Sequence, residues 1–462
     1  VNIAEERVGF IKKMSCYLSE RDSYFRSLPY FSYLMGMQHM KIDRRHYLLS
    51  LAVACAVPGG AQADQSEAKG FVEDSSLSVF ARNAYFGRDR KGGAQDKAEW
   101  GQSFVGKFQS GFTQGQVGVG LDLLGQYALR LDTGRGRNNS GIAFFPVKGY
   151  DPATGTNDGS ESDIAKAGAA IKFRVSNTVL TYGDQLPALP VVHYDPTRLL
   201  PETFTGTSVK SDEIKDLHLD FGRFTRDSGK NASGRDSVRL KSINFAGGTY
   251  NFTPSLTAAL YFSDIEDVAR KKYVNVNYVY VLDKTQSLAF DFNMYDTRYD
   301  SEYTRDGSQK NNIWSMATTY NLGGHSVSVS YQKNTGSRGY DYSIGDGGTI
   351  YMANSYFSDF NLEDERSWQL SYQYDFAGLG LPGLVYKSAF VRGDNITTTN
   401  ATGGREREFY NQVSYTVQSG PAKNLALRLR SSIYRADDAV NGYYSPDMNE
   451  VRVFADYPIN IF

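Results

Sequence analysis

Two arginines one residue apart, Arg428 and Arg430, alternate with Leu425, Leu427 and Leu429 in the segment NLALRLR. A period of two belongs to an extended strand, so one face carries both guanidiniums and the other only leucine. The split recurs far away in sequence. Lys166, Lys172 and Arg174 share a parity in AKAGAAIKFRVS, against Ala165, Ala167, Ala169, Ile171, Phe173 and Val175. Arg130 faces with Ala128 and Asp132, opposite Leu129 and Leu131; Arg239 and Lys241 share a parity in VRLKS; Arg452 falls between Val451 and Val453. Arg82 and Lys107 can join the set. Cations repeated along the polar face of many strands would offer an anion successive weak sites, each easy to enter and easy to leave. Low-dielectric walls around them would focus the field and raise the local anion concentration. The plainer reading makes each of them an ordinary solvated or ion-paired charge; their recurrence on one face favours the anion path.

Signals for covalent or metal chemistry are weak. Past the leader described below, the histidines are His193, His218 and His325, and no pair of His or Cys has metal-ligand spacing. His218 lies between Leu217 and Leu219 as a polar-face residue, and His325 follows Gly323-Gly324 like a turn exit. The chain has no GxSxG elbow and no Walker-type phosphate loop. The GDGG run at Gly345–Gly348 lacks the carboxylate ladder of a calcium loop. No catalytic residue, metal or cofactor is expected. The enzyme alternative is a hydrolase embedded in the membrane, with a serine near His193 or His218.

The elements that would position the cations read as strands. Ser255–Ser263 puts Leu256, Ala258, Leu260 and Phe262 on one face; Ser287–Tyr295 puts Leu288, Phe290, Phe292 and Met294 there, with Asp291 and Asn293 opposite. In WQLSYQYD, Trp368, Leu370, Tyr372 and Tyr374 oppose Gln369, Ser371, Gln373 and Asp375. A soluble sandwich also alternates, but a dry core would not tolerate unpaired charges in mid-strand. Tyr278, Tyr280, Tyr372, Tyr374 and Tyr457 sit at the ends of the apolar stripe, as in an interfacial girdle. Connections alternate between short (Asp283-Lys284, Leu322-Gly323-Gly324) and long polar stretches (Asp296–Asn312, Asn334–Asp364). Outer-membrane barrels have short periplasmic turns and long external loops. The last strand, EVRVFADYPINIF, ends on Phe462, and Pro458 makes its register uncertain past Asp456. The expected fold is all-β: a transmembrane antiparallel β-barrel of 18 strands with long extracellular loops, wide enough for an aqueous channel.

Composition agrees. The 462 residues include 33 Tyr, 27 Phe and 45 Gly, with 50 Lys+Arg against 51 Asp+Glu. Near-neutral net charge gives no support to nucleic-acid binding. Mean hydropathy is polar, as a barrel requires when only alternate residues meet lipid. Lys41, Arg44 and Arg45, the apolar run Tyr47–Val57 and Ala61-Gln62-Ala63 read as a secretory signal peptide over 37–63. Residues 1–36 precede a plausible start at Met37 or Met40 and are expected to be an over-extended N-terminus with no fold of their own. The barrel is then 64–462, and the two cysteines, Cys16 and Cys55, fall before it. A disulfide-stapled domain is excluded; a lipid-acceptor role for Cys55 meets Ala52 where a leucine is usual.

Leu186–Gly206, LPALPVVHYDPTRLLPETFTG, has four prolines and so is no central strand, yet it is too apolar for a free surface loop. Folding inward to narrow the pore explains both properties. Arg198 is then a candidate for the constriction, with Tyr194 and Asp195 beside it.

The runs RLLPETFTG at Arg198–Gly206, RNAYFGRD at Arg82–Asp89 and ADYPINIF at Ala455–Phe462 resemble the OprD-type (Occ) outer-membrane porins of pseudomonads. The resemblance covers essentially all of 64–462. It implies an 18-stranded barrel, monomeric or homotrimeric, whose third and seventh external loops fold inward. It also implies a basic ladder that guides a substrate carboxylate, matched here by Arg428, Arg430 and Arg452, with Lys387 in LVYKSAF as a further rung. The family divides into channels for basic amino acids and channels for other carboxylates, often cyclic or aromatic. VVHYDP ahead of RLLP resembles the second group, whereas Asp195 and Glu202 could form an acidic pocket for cations. The implied partners are small carboxylate solutes, outer-membrane lipid and lipopolysaccharide.

Overall fold

The computed structural model describes residues 64–462 apart from 133–136, 138, 152–153, 155 and 349. The segment 1–36, the expected signal peptide over 37–63 and both cysteines lie outside the described residues. Eighteen antiparallel strands form one closed sheet. In chain order they are β1 (Ser76–Arg90), β2 (Lys97–Gln109), β3 (Gly118–Arg130), β4 (Asp163–Val175), β5 (Thr178–Gln185), β8 (Thr203–Ile214), β9 (Leu217–Ser228), β10 (Ile243–Thr253) and β11 (Leu256–Ile265). There follow β12 (Ala269–Val281), β13 (Gln286–Tyr299), β14 (Gln309–Leu322), β15 (His325–Gly336), β16 (Arg366–Asp375), β17 (Leu384–Ile396), β18 (Gly404–Thr416), β19 (Ala426–Ala436) and β20 (Met448–Asn460). The short β6 (Ala188–Leu189) and β7 (Val192–His193) pair only with each other, inside a loop. β1 pairs with both β2 and β20, which closes the barrel and leaves no free edge.

The alternation read from the sequence has the inverted sense of a membrane barrel. On β19, Leu427 and Leu429 are 44% and 50% exposed on the outside, while Arg428 and Arg430 are buried within. On β16, Trp368 and Leu370 point out and Ser367, Gln369 and Ser371 point in. An outward apolar face meets lipid, and the backbone groups are satisfied strand to strand. Pro458 does not end β20. The β19 ladder stops at Ala426↔Asp456, so the missing proline N–H has no partner on that side, and pairing with β1 continues to Asn460.

Nine connections lie at one end: 91–96, 131–162, 186–202, 229–242, 266–268, 300–308, 337–365, 397–403 and 437–447. They are numbered loops 1 to 9 below. The connections at the other end, such as 176–177, 215–216 and 323–324, are mostly short, and the two termini of the barrel meet there, where Leu77 N–H donates to the Phe462 carbonyl. Loop 6 is shorter than the stretch Asp296–Asn312, because β13 and β14 carry their alternation out to Tyr299 and Gln309.

Loops 3 and 7 fold inward, and so does loop 2. From loop 3, Leu189, Val191 and Val192 pack with Tyr340, Ile350 and Met352 of loop 7 against inward aromatics of the wall. Leu199 and Leu200 pack with Ile142, Phe144 and Phe145 of loop 2 against Ala84 and Phe86. This burial accounts for the apolar, proline-rich character of loop 3: the segment is a core element with no ladder to join. Its inward dive also shortens β5, whose pairing with β4 runs only from Val175↔Thr178 to Ala170↔Gly183. Above that point a cavity of about 420 Å³ opens between β4 and loop 4, beside Gly168, Thr203 and Arg235.

Candidate translocation track

Cross-strand register places the inward cations in successive rows. Arg430 stands opposite Arg452, and Arg452 opposite Phe86. In the next row toward the termini, Arg428 stands opposite Phe454, and in the one after that Asp456 stands opposite Arg82. The four arginines Arg82, Arg88, Arg428 and Arg452 divide two carboxylates. Asp456 is 2.8 Å from Arg82 and 3.5 Å from Arg428; Glu450 is 2.6 Å from both Arg88 and Arg452. Positive charge is therefore in excess on this wall. Aromatic rings separate the guanidiniums and hold them in place: Arg428 lies 4.2 Å over Phe454, Arg452 4.5 Å over Phe86, and Arg430 5.2 Å over Tyr410. Arg452 Nη2 and Arg428 Nε are buried and find no hydrogen-bond acceptor among the described residues. Each guanidinium thus keeps a donor that no described protein group takes up.

The other sequence candidates divide by role. Lys107 is on the inward parity of β2 and exposed to the lumen. Lys172 is 2.5 Å from Asp122, and Arg174 Nε donates to Gln65 Oε1 at 2.8 Å, both beside Phe112 near the end where the termini meet. Lys387 lies half-buried under loop 7, 5.1 Å from the Tyr356 ring. Arg130 Nη1 donates to the Ser160 carbonyl of loop 2 at 2.8 Å. Lys166 spends its ammonium on three carbonyls, those of Pro201, Ser228 and Gly229, at 3.0–3.1 Å. It pins the end of loop 3 to the start of loop 4. Arg82 likewise fixes loop 3, donating to the Pro196 and Arg198 carbonyls at 2.8 and 2.9 Å.

Position corrects one expectation and sharpens another. Arg239 and Lys241 are not on a strand: both lie exposed in loop 4, Arg239 with φ 60°, and Lys241 pairs with Asp267. Their short alternation, with Val238 and Leu240 between, mimics a strand where the chain has already left the sheet. Arg198 belongs to the inward loop, but its side chain is only 1% exposed. Its Nε donates to the Ile142 carbonyl at 2.5 Å and its Nη1 to the Thr197 carbonyl at 3.3 Å, so it joins loop 3 to loop 2. Burial, with Arg452 nearby, pushes its guanidinium down to about 9, which leaves it charged at neutral pH.

Tyr194 and Asp195 sit at the seam of loops 3 and 7. His193 stacks on Tyr194 at 5.3 Å, and its N–H donates to the Gly345 carbonyl at 2.8 Å. A Cβ on Gly347 (φ 57°) would lie 2.4 Å from the His193 carbonyl oxygen and 2.7 Å from that of Tyr194, so only glycine lets the loops meet. The GDGG run is thus a seam between loops. Asp195 accepts from Thr197 N–H and Oγ1 at 2.8 and 2.6 Å and from Lys230 Nζ at 2.8 Å. Glu202 accepts from the Asp195 N–H at 3.1 Å; burial, then the nearby Asp227 and Asp195 carboxylates, push it well above the usual carboxylate range.

Sequence reasoning missed several residues that build the constriction. Glu408 accepts the N–H groups of Phe357 and Ser358 and so anchors loop 7, while Glu99 accepts those of Ser140 and Phe144 and anchors loop 2. Lys271 and Asp346 form a buried pair between β12 and loop 7. For the glutamates a signal existed: Glu406 and Glu408 alternate with Arg405, Arg407 and Phe409. Acids on an inward parity, facing a pore wall rich in cations, call for a loop that supplies donors.

A closed 18-stranded barrel with an outward apolar face and a charged interior narrowed by inward loops defines an outer-membrane channel. The chain belongs to the OprD family of outer membrane porins, whose family profile matches residues 69–461. It is 38% identical over 450 residues to Porin D of Pseudomonas aeruginosa, covering 89% of this chain and 98% of the relative. The crystal structure of Acinetobacter baumannii OccAB1 superposes with a TM-score of 0.80 at 38% identity, over 87% of this chain and all of that one. That of Pseudomonas aeruginosa OpdK with vanillate gives 0.73 at 32% identity, over 85% of this chain and all of that one.

Proposed function

We propose that this porin carries small carboxylates by passive diffusion, with cyclic or aromatic acids preferred. The observation that carries the reading is the row of aromatic-backed arginines with unfilled donors, Arg428 and Arg452 above all. A carboxylate accepts in-plane bonds from such forks, and successive rows let it pass from one to the next. Phe86, Phe454 and Tyr410 interleave with the guanidiniums and hold the forks in place behind the track. The vanillate in the OpdK structure, itself an aromatic carboxylate, fits the same chemistry.

A channel for basic amino acids would need an acidic group offered to the solute. Asp195 is occupied by Lys230 and Thr197, and Glu408 by two backbone N–H groups of loop 7. That occupancy supports the carboxylate reading over the cationic one. The hydrolase reading has less support: His218 Nδ1 and Nε2 face Asp212 and Asp220 at 2.7 and 3.1 Å, which leaves no ring nitrogen for a serine. The test is competition between solutes for channel current. Benzoate should block or carry current at concentrations where arginine does neither; the reverse order would overturn the carboxylate preference.

A further inference from the structure

The outward face carries cations that the solute path does not use. Just beyond the apolar band, at the end bearing the long loops, they stand directly opposite one another across strands. Arg270 pairs in register with Arg298, and Arg298 with Lys310, across β12, β13 and β14. Lys333 stands opposite Arg366 across β15 and β16. Arg392 stands opposite Arg407, and Arg407 opposite Arg435, across β17, β18 and β19. Trp368, 44% exposed to the outside, stands opposite Arg392 and marks the edge of the apolar band.

Like charges directly opposite each other in a sheet are destabilising. Neighbouring acids relieve only part of this: Asp300 serves Arg270 at 3.5 Å, Asp394 serves Arg366 at 2.5 Å, and Asp447 lies 3.9 Å from Arg435. Among the described residues, Arg298, Lys310, Lys333, Arg392 and Arg407 have no ion-pair partner. The cations are also confined to part of the circumference. On β20, β1, β2, β3 and β4 the outward parity carries no Lys or Arg. Charges kept for general solubility would not be rowed up on one arc at one height above lipid-facing aromatics.

We propose that this arc is a binding surface for the phosphate groups of the outer-leaflet glycolipid, lipopolysaccharide. A lipid with two or more phosphates spans adjacent strands and neutralises the like-charge rows, and arginine forks match phosphate oxygens in pairs. Its acyl chains lie along the apolar band directly below. The site is separate from the lumen, and it stands whichever solute the channel carries.

The experiment measures binding of bisphosphorylated lipid A, and of the same glycolipid with its phosphates removed, to the full folded porin in detergent micelles. A second protein carries Arg298→Gln, Lys310→Gln, Arg392→Gln and Arg407→Gln together. The bisphosphorylated lipid should bind the parent chain, and the phosphate-free lipid should bind at least tenfold more weakly. The four replacements should cost about a hundredfold, on the scale of a several-fold factor for each basic residue at an anionic surface. Single-channel conductance should stay unchanged. Equal binding of the two lipids, or equal binding by the two proteins, would overturn the proposal. Should the variant fail to fold, the parent chain alone decides: rising salt should release the lipid progressively, and salt-insensitive binding refutes the assignment. Competition by millimolar inorganic phosphate at constant ionic strength would show a simple anion site and equally overturn the lipid assignment.

Discussion

Replacing Arg428 with glutamine removes one rung of the track while leaving the wall intact. Asp456 keeps Arg82 at 2.8 Å, and Arg428 is its more distant partner at 3.5 Å, so the carboxylate is not stranded. The cost to folding should be about 1 kcal/mol. The effect on a passing anion is larger. Two unit charges about 7 Å apart attract by roughly 2.4 kcal/mol at an effective dielectric near 20. Lumen water and the Asp456 counter-charge reduce this to about 1 kcal/mol, or roughly fivefold in local anion occupancy. Arg428→Gln should therefore lower benzoate permeability about fivefold and benzamide permeability less than twofold; the two solutes share size and shape. The assay is solute flux into liposomes carrying the refolded porin, with both solutes measured on the same vesicles. Parallel losses would mean general pore damage, and unchanged flux of both solutes would show that Arg428 does not touch the anion path.

Gly347→Ala places a methyl against the His193 and Tyr194 carbonyls at a positive φ, so the seam between loops 3 and 7 should open. Single-channel records should then show a larger mean conductance with added substates; an unaltered record would place the narrowest point elsewhere. Lys166→Met leaves three backbone carbonyls without their shared ammonium, for a loss of about 3 kcal/mol. Hydrogen exchange over 186–202 and 229–242 should rise while the rest of the barrel keeps its protection, and uniform exchange would refute the pinning role. The raised titration of Glu202 gives a pH dependence with a definite sign. A carboxyl raised on folding stabilises loop 3 below its unfolded range near 4.5, and that contribution is lost as pH climbs through the folded value. Conductance noise should thus grow from acidic to alkaline pH in the parent and stay flat in Glu202→Gln; identical profiles would remove Glu202 from the account.

The barrel was legible because its rule is local. A period of two with leucine on one parity and arginine on the other fixes both strand and facing, and β19 shows it residue by residue. The inward turn of loop 3 was legible from proline and apolar content together. What the sequence could not reveal is which cations are already engaged. Lys166 and Arg428 look alike as inward rungs, yet Lys166 is consumed by backbone carbonyls that loop folding delivers from 35 and more residues away, while Arg428 keeps an unfilled donor. Arg198 is engaged by a loop 2 carbonyl 56 positions earlier in the chain. Contacts made between loops carry no periodicity, so the Lys271–Asp346 pair left no pattern to read, and the alternation around Glu408 gave its facing but not the loop it anchors. Arg239 and Lys241 show the reverse failure: three residues of alternation are too few to make a strand.

The carboxylate preference is read directly from the current through a single refolded porin in a planar bilayer, with benzoate and then arginine titrated on the side of the long loops. Benzoate should interrupt or carry the current in a concentration-dependent way that Arg428→Gln weakens, with arginine ineffective over the same range. Interruption by arginine and indifference to benzoate would contradict it.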